Sequence, residues 1–223
     1  MKTPVSAESL RQHFTYNWWK YLLLAVIGFF AVDILYTVTA PRIPDDKKVE
    51  FYIYGYSDQD QLDAYMAGVR RDYMPDMESM TSHLIVNDDT YGAMMLTTYM
   101  AAGEGDLYLL PRDQFLSLAG QGALVSLEDN AELMDWFNQR GLSLQNGWRK
   151  NTETGETHLC GIPQEKIPGL IQYAYAQDGY VCVVVTGGNI DNTMKFLNYL
   201  VRDLAEAPAE ESPAPEAAVT AAP

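Results

Sequence analysis

Tyr54, Tyr56 and Asp58 fall on alternate positions, Asn87, Asp88 and Asp89 stand in a row, and Arg112 and Trp148 follow as isolated polar and aromatic groups. Phenol, amide, carboxylate, guanidinium and indole are the groups with which a protein hydrogen-bonds and stacks a small polar ligand. The same residue types also have a plain structural use, since tyrosines pack and Asp, Asn and Ser cap helices. Both uses stay open on the sequence. Covalent catalysis has no matching signature, because no G-x-S-x-G, Walker or dinucleotide glycine pattern occurs.

Metal chemistry fails on spacing. Asp58, Asp60 and Leu62 break a calcium loop at its third ligand, and Val69 stands where the closing glutamate belongs. Asn87, Asp89 and Tyr91 fail in the same way, with Thr98 at the closing position. His158 and Cys160 lie two apart and so on one face of a strand, but with two cysteines and three histidines in the whole chain nothing completes a site. No metal, cofactor or catalytic set is expected. Cys160 and Cys182 can form a disulfide if exported, or can be buried thiols in neighbouring strands.

The elements that position these groups read as an alternating series. Val49 to Tyr56 has the β-branched and aromatic content of a strand, and Ser57 to Asp60 has the form of a capping box. Leu62, Tyr65, Met66, Val69 and Tyr73 then make one apolar helix face that ends before Pro75. Leu84 to Val86 predicts a second strand, and Tyr91 to Ala102 a helix apolar around most of its circumference. Leu107 to Leu110 predicts a third strand closed by Pro111, and Asp113 can cap a helix ended by Gly120 or Gly122.

A β-α-β-α-β-α order predicts an α/β fold: a mostly parallel open sheet in a single lobe, with right-handed crossovers and helices on both faces. Ligands of such sheets bind beyond the carboxyl ends of the strands. That rule nominates Tyr54, Tyr56, Asp58, Asn87, Asp88, Asp89 and Arg112, with Trp148 as an aromatic platform.

Further along, Leu133, Trp136 and Phe137 face inward from a helix stopped by Gly141, and residues 143–156 read as loop. Residues 157–162, 169–176 and 180–186 read as strands, the last two joined by a hairpin turn at Asp178-Gly179. Asn189 or Asp191 caps a final helix with Leu197, Leu200, Val201 and Leu204 inward.

Ahead of this domain, residues 21–40 are apolar apart from Asp33 and reach the length of a membrane-crossing helix. Trp18 and Trp19 suit the headgroup region, and Lys2, Arg11 and Lys20 favour a cytoplasmic N-terminus. Leu22 to Val32 also resembles the apolar core of a signal peptide, with Val38-Thr39-Ala40 as its cleavage site. The retained anchor is the expectation, and either reading exports the domain. Asp33 sits near the outer interface or pairs with another membrane helix.

The expected division is therefore a cytoplasmic segment at 1–20, a transmembrane anchor at 21–40, a linker at 41–48, an extracytoplasmic domain at 49–204, and a disordered acidic Ala/Pro tail at 205–223. Residues 41–204 carry 12 basic and 24 acidic side chains. Such a surface repels nucleic acid and anionic lipid, which both depend on Lys and Arg to neutralise phosphate.

The segment GDLYLLPRDQFLSLAGQGALVSLED, residues 105–129, resembles the bacterial extracellular solute-binding proteins that feed ABC importers. Cys160-Gly161-Ile162-Pro163 resembles that family's Y-G-I-P strand, and TGGNIDNTMKFLNYL, residues 186–200, its closing helix. The resemblance implies one lobe of a type II periplasmic-binding-like fold. In the family a second lobe follows the G-I-P strand, and ligand is trapped between the two. Here five residues separate Pro163 from Gly169, so one lobe is expected, membrane-anchored in place of a lipidated cysteine.

The function expected is non-catalytic recognition of a small solute or an envelope protein partner outside the cell membrane. The alternative is a structural or assembly role in a transporter-like membrane complex, and an enzyme ranks last.

Overall fold

The computed structural model describes residues 7–39, 43–88 and 90–205. Asp89 and residues 206–223 of the expected 205–223 tail lie outside the described residues. The chain divides into two compact units between Arg42 and Ile43.

The first unit is helix α1 (Ala7–Thr39), which begins well before the apolar run. Its Asn17–Thr39 part, 23 residues, is long and apolar enough to cross a membrane. At about 1.5 Å per residue it reaches ~35 Å, against a hydrocarbon core of ~30 Å. Leu24, Phe29 and Val32 are exposed along it.

The second unit opens with β1 (Lys48–Ser57), α2 (Gln59–Asp72), β2 (Ser79–Val86), α3 (Tyr91–Ala102), β3 (Leu107–Leu110) and α4 (Arg112–Gly120). It continues with α5 (Ala131–Gln139), β4 (Trp148–Lys150), β5 (Thr157–Leu159) and β6 (Ile162–Pro163), then β7 (Ala174–Tyr175), β8 (Tyr180–Val183) and α6 (Ile190–Leu204). The main sheet runs β2-β1-β3-β8-β6. β1 pairs in parallel with β2 and β3, while β8 is antiparallel to both β3 and β6. The mostly parallel α/β sheet follows the expectation.

Both sheet faces are covered, as alternation along the strands requires. Phe51, Ile53, Leu107, Leu109, Val181 and Val183 pack with α2, α5 and α6 on one face. Tyr52, Tyr54, Tyr108, Leu110 and Cys182 pack with α3 and α4 on the other. Asp58, rather than Ser57, caps α2, its carboxylate accepting the Gln61 N–H at 3.2 Å. Helix α4 begins one residue before Asp113, with Pro111 as its N-cap and no side-chain cap bond, and Gly122 takes the left-handed conformation just after its end.

Three later expectations change. Of the expected strand 169–176 only Ala174–Tyr175 is a strand; residues 168–172 are a 3-10 turn with Pro168 at its start, where its missing N–H is not needed, and the Leu170 N–H bonds back to the Ile167 carbonyl at 3.0 Å. β7 pairs with β1, Tyr56 opposite Tyr175, so Asp178-Gly179 closes no hairpin. Asp178 nonetheless adopts a left-handed φ of 46°. Within 143–156, β4 forms a ribbon with β5, in register Trp148 to Leu159 and Arg149 to His158.

The return from β6 is held by one side chain. Gln164, 4% exposed, donates through Nε2 to the Ala174 carbonyl at 2.7 Å and accepts the Ala176 N–H on Oε1 at 3.1 Å. Its own N–H donates to the Gly179 carbonyl at 2.8 Å. A Cβ on Gly179 would lie 2.6 Å from Gln164 Oε1, so the clamp also requires glycine there. Replacing Gln164 with Leu leaves a buried N–H and a buried carbonyl without partners, a loss of about 1–3 kcal/mol each. Urea unfolding of Gln164→Leu should show a midpoint clearly below wild type, and an unchanged midpoint would refute the clamp.

Candidate functional site

Beyond the carboxyl end of β3 lies a groove of ≈ 410 Å³, lined among others by Arg112, Arg149, Gln164, Tyr175, Asp178 and Tyr180. Arg112 is the first residue of α4, so the end of β3 places it there directly. Arg149 arrives from the β4 ribbon by strand alternation: Trp148 packs on the core of the α2 face, which sends the next side chain the other way. Its guanidinium carbon lies 5.3 Å over the Phe115 ring centroid. Phe115 in turn stacks on Tyr180, centroids 4.1 Å apart and planes 9° from parallel. Gly161 allows this, since a Cβ there would sit 2.9 Å from Phe115 and 2.8 Å from Cys182 Sγ.

Of the seven nominated residues that the structure describes, only Arg112 lines this groove. Tyr54 is buried, and its hydroxyl donates to the Asp88 carbonyl at 2.9 Å. Asp88 accepts the N–H groups of Thr90 and Tyr91 at 3.0 and 2.6 Å, and so holds the turn into α3, whose N-cap is Thr90. Asp58 caps α2, and Asn87 is exposed. Tyr56 is exposed beside Tyr175, its cross-strand partner at the groove. Trp148 packs against the core.

Arg149, Gln164, Tyr175 and Tyr180 were not nominated. Arg149 and Gln164 fell in segments read as loop or gap, and period-two alternation from Trp148 is the signal that finds Arg149.

Cys160 and Cys182 are both free and buried in one cluster, the thiol alternative of the sequence reading. Burial pushes both thiols up, Cys182 strongly. Low nucleophilicity follows. His158 joins no metal cluster among the described residues. Its Nδ1 lies 2.6 Å from Glu128 Oε1, and its Nε2 3.5 Å from Glu156 Oε2. The second Glu128 oxygen accepts the Leu159 N–H at 2.9 Å, so the pair latches the loop before α5 to β5.

No protein-family model matches the chain, and no curated protein matches it. Solved structures are similar over about half of it. One is an extracellular solute-binding protein family 1 member from Alicyclobacillus acidocaldarius: TM-score 0.40, 19% identity, 55% of this chain and 29% of that one. The N-glycan transport solute binding protein of Streptococcus pneumoniae gives 0.38, 16%, 52% and 24%. Maltose-bound MalE3 of T. maritima gives 0.39, 18%, 57% and 33%. The chain spans a third or less of the length of each of these proteins.

The hydrogen bond to Glu128, helped by the charges of Glu128 and Glu156, raises the His158 pKa above its ordinary 6.5. A raised histidine pKa means the latch contributes fully below about 6.5 and is lost as pH climbs through the raised value. The denaturant midpoint should therefore fall as pH rises above about 6.5, and His158→Gln should flatten that fall. Equal pH slopes in both proteins would refute the latch.

Proposed function

We propose that this chain is a membrane-anchored extracytoplasmic domain that binds a small solute non-covalently in the groove beyond β3. Residues 21–40 hold it in the membrane with 1–20 on the cytoplasmic side, 41–48 act as a linker, 49–204 form the binding domain, and 205–223 trail from it. The observation that carries the reading is the groove itself: convergent guanidinium, amide and phenol groups at the strand ends where α/β sheets take ligands. Recognition, not turnover, fits its contents. The two thiols are buried and pushed up, and the one histidine nearby is engaged by Glu128. The resemblance of residues 105–129 to solute-binding proteins agrees with this.

Docking of an envelope or transporter-like partner is a second reading, favoured by the half-exposed Ile171 and Tyr175 and the exposed Tyr56 at the groove rim.

Thermal unfolding of the full chain in detergent, against sugars, amino acids, peptides and small anions, separates the two. A true solute at about 100 times its Kd adds ~2.7 kcal/mol and raises Tm by several degrees. A flat response with a co-purifying membrane protein removes the solute reading in favour of docking. Alkaline carbonate should leave the chain in the membrane pellet, and its release to the supernatant would refute the anchor.

A further inference from the structure

The groove is lined by two arginines, Arg112 and Arg149. Lys48, Arg71, Lys166 and Arg202 all lie within ion-pair distance of carboxylates. Arg112 and Arg149 form no such pair among the described residues, although acidic side chains outnumber basic ones two to one in residues 41–204. Arg112 is exposed and makes no hydrogen bond with a described residue. Arg149 is half-buried, its Nη1 donates to the Trp148 carbonyl at 2.6 Å, and its Nε is fully buried with no partner. An unpaired buried guanidinium N–H is costly unless something else satisfies it.

The first turn of α4 starts at Arg112, which lines the groove; it has no side-chain cap and carries Asp113, which does not line the groove. The acidic lining groups are Glu165 and Asp178. Glu165 is already engaged by Lys166 at 3.3 Å. Asp178 remains to accept donors from the far side of a ligand.

We propose that the groove takes a small ligand bearing one oxyanion group, carboxylate or phosphate, held between Arg112 and Arg149 at the start of α4. Guanidinium suits this because its planar fork matches both anions bidentately. Stacking on Phe115 fixes the Arg149 plane, so little freedom is lost when the anion arrives. The inference rests on the groove being the binding site, and it adds the chemical class of the ligand.

The test follows arginine side-chain N–H signals by NMR on the full chain in a neutral detergent. Inorganic phosphate and succinate are titrated at constant ionic strength, with sodium chloride as the reference. The Arg149 Nε–H signal should move saturably with phosphate, succinate or both, and not with chloride. A response to phosphate alone assigns a phosphate group, and a response to succinate alone a carboxylate. Arg112→Gln, an exposed change that leaves the fold intact, should weaken the response at least tenfold. Arg202→Gln, whose arginine pairs with Glu132 away from this groove, should leave it unchanged.

Absence of a saturable shift with either anion overturns the proposal, as does full binding in Arg112→Gln combined with Arg149→Lys. If a neutral solute from the thermal panel moves the same signals while both anions fail, the groove stands as the binding site and the oxyanion class falls.

Discussion

Everything in the second unit depends on β1 being bonded along both edges and buried on both faces. Eight of its positions pair with β2 and three with β3, so its backbone groups have no need of water. Its side chains then divide by parity. Val49, Phe51 and Ile53 seat α2 and α6, while Tyr52 and Tyr54 seat α3. The α2 crossover to β2 covers one face, and the α3 crossover from β2 past β1 to β3 covers the other. β7 adds an antiparallel pair at the last residues of β1, and a Cβ at Gly55 would collide with the Tyr175 carbonyl. Glycine at that one position lets the groove wall approach the sheet.

The series from β1 to α4 was legible because each element carries its own signal. β1 is β-branched and aromatic, α2 has a three-four apolar stripe, and β3 is four apolar residues bracketed by glycine and proline. Beyond α5 the strands shrink to two to four residues, and local pattern no longer distinguishes a strand from a 3-10 turn. There the structure is decided by contacts distant in sequence: Gln164 to Ala174, β7 to β1, Arg149 to Phe115. The site suffered more than the fold for the same reason. Of the strand-end groups, Asp58, Asp88 and Tyr54 spend their polar atoms on helix starts and a loop carbonyl. Arg112 lines the groove and directly follows a strand whose sequence is legible.

The opposite edge of the sheet shows what the acidic excess does when it is structural. Asp106, 4% exposed, accepts the Glu50 N–H at 2.9 Å, and Glu50 accepts the Gly105 N–H at 3.2 Å. Burial pushes the Asp106 carboxyl up, with the backbone hydrogen bond from Glu50 pulling against it. Asn189 adds a bond from its Nδ2 to the Lys48 carbonyl at 2.9 Å. The polar groups at that end satisfy one another, whereas the groove holds Arg112 and Arg149 with no carboxylate partner among the described residues.

The turn clamped by Gln164 has a kinetic consequence. Residues 164–168 return the chain directly, and Gln164 ties this wall of the groove to Ala174, Ala176 and Gly179 by three hydrogen bonds within one compact unit. On the proposed solute reading, exchange at such a wall would be set by diffusion and contact strength, and occupancy would track concentration in the surroundings.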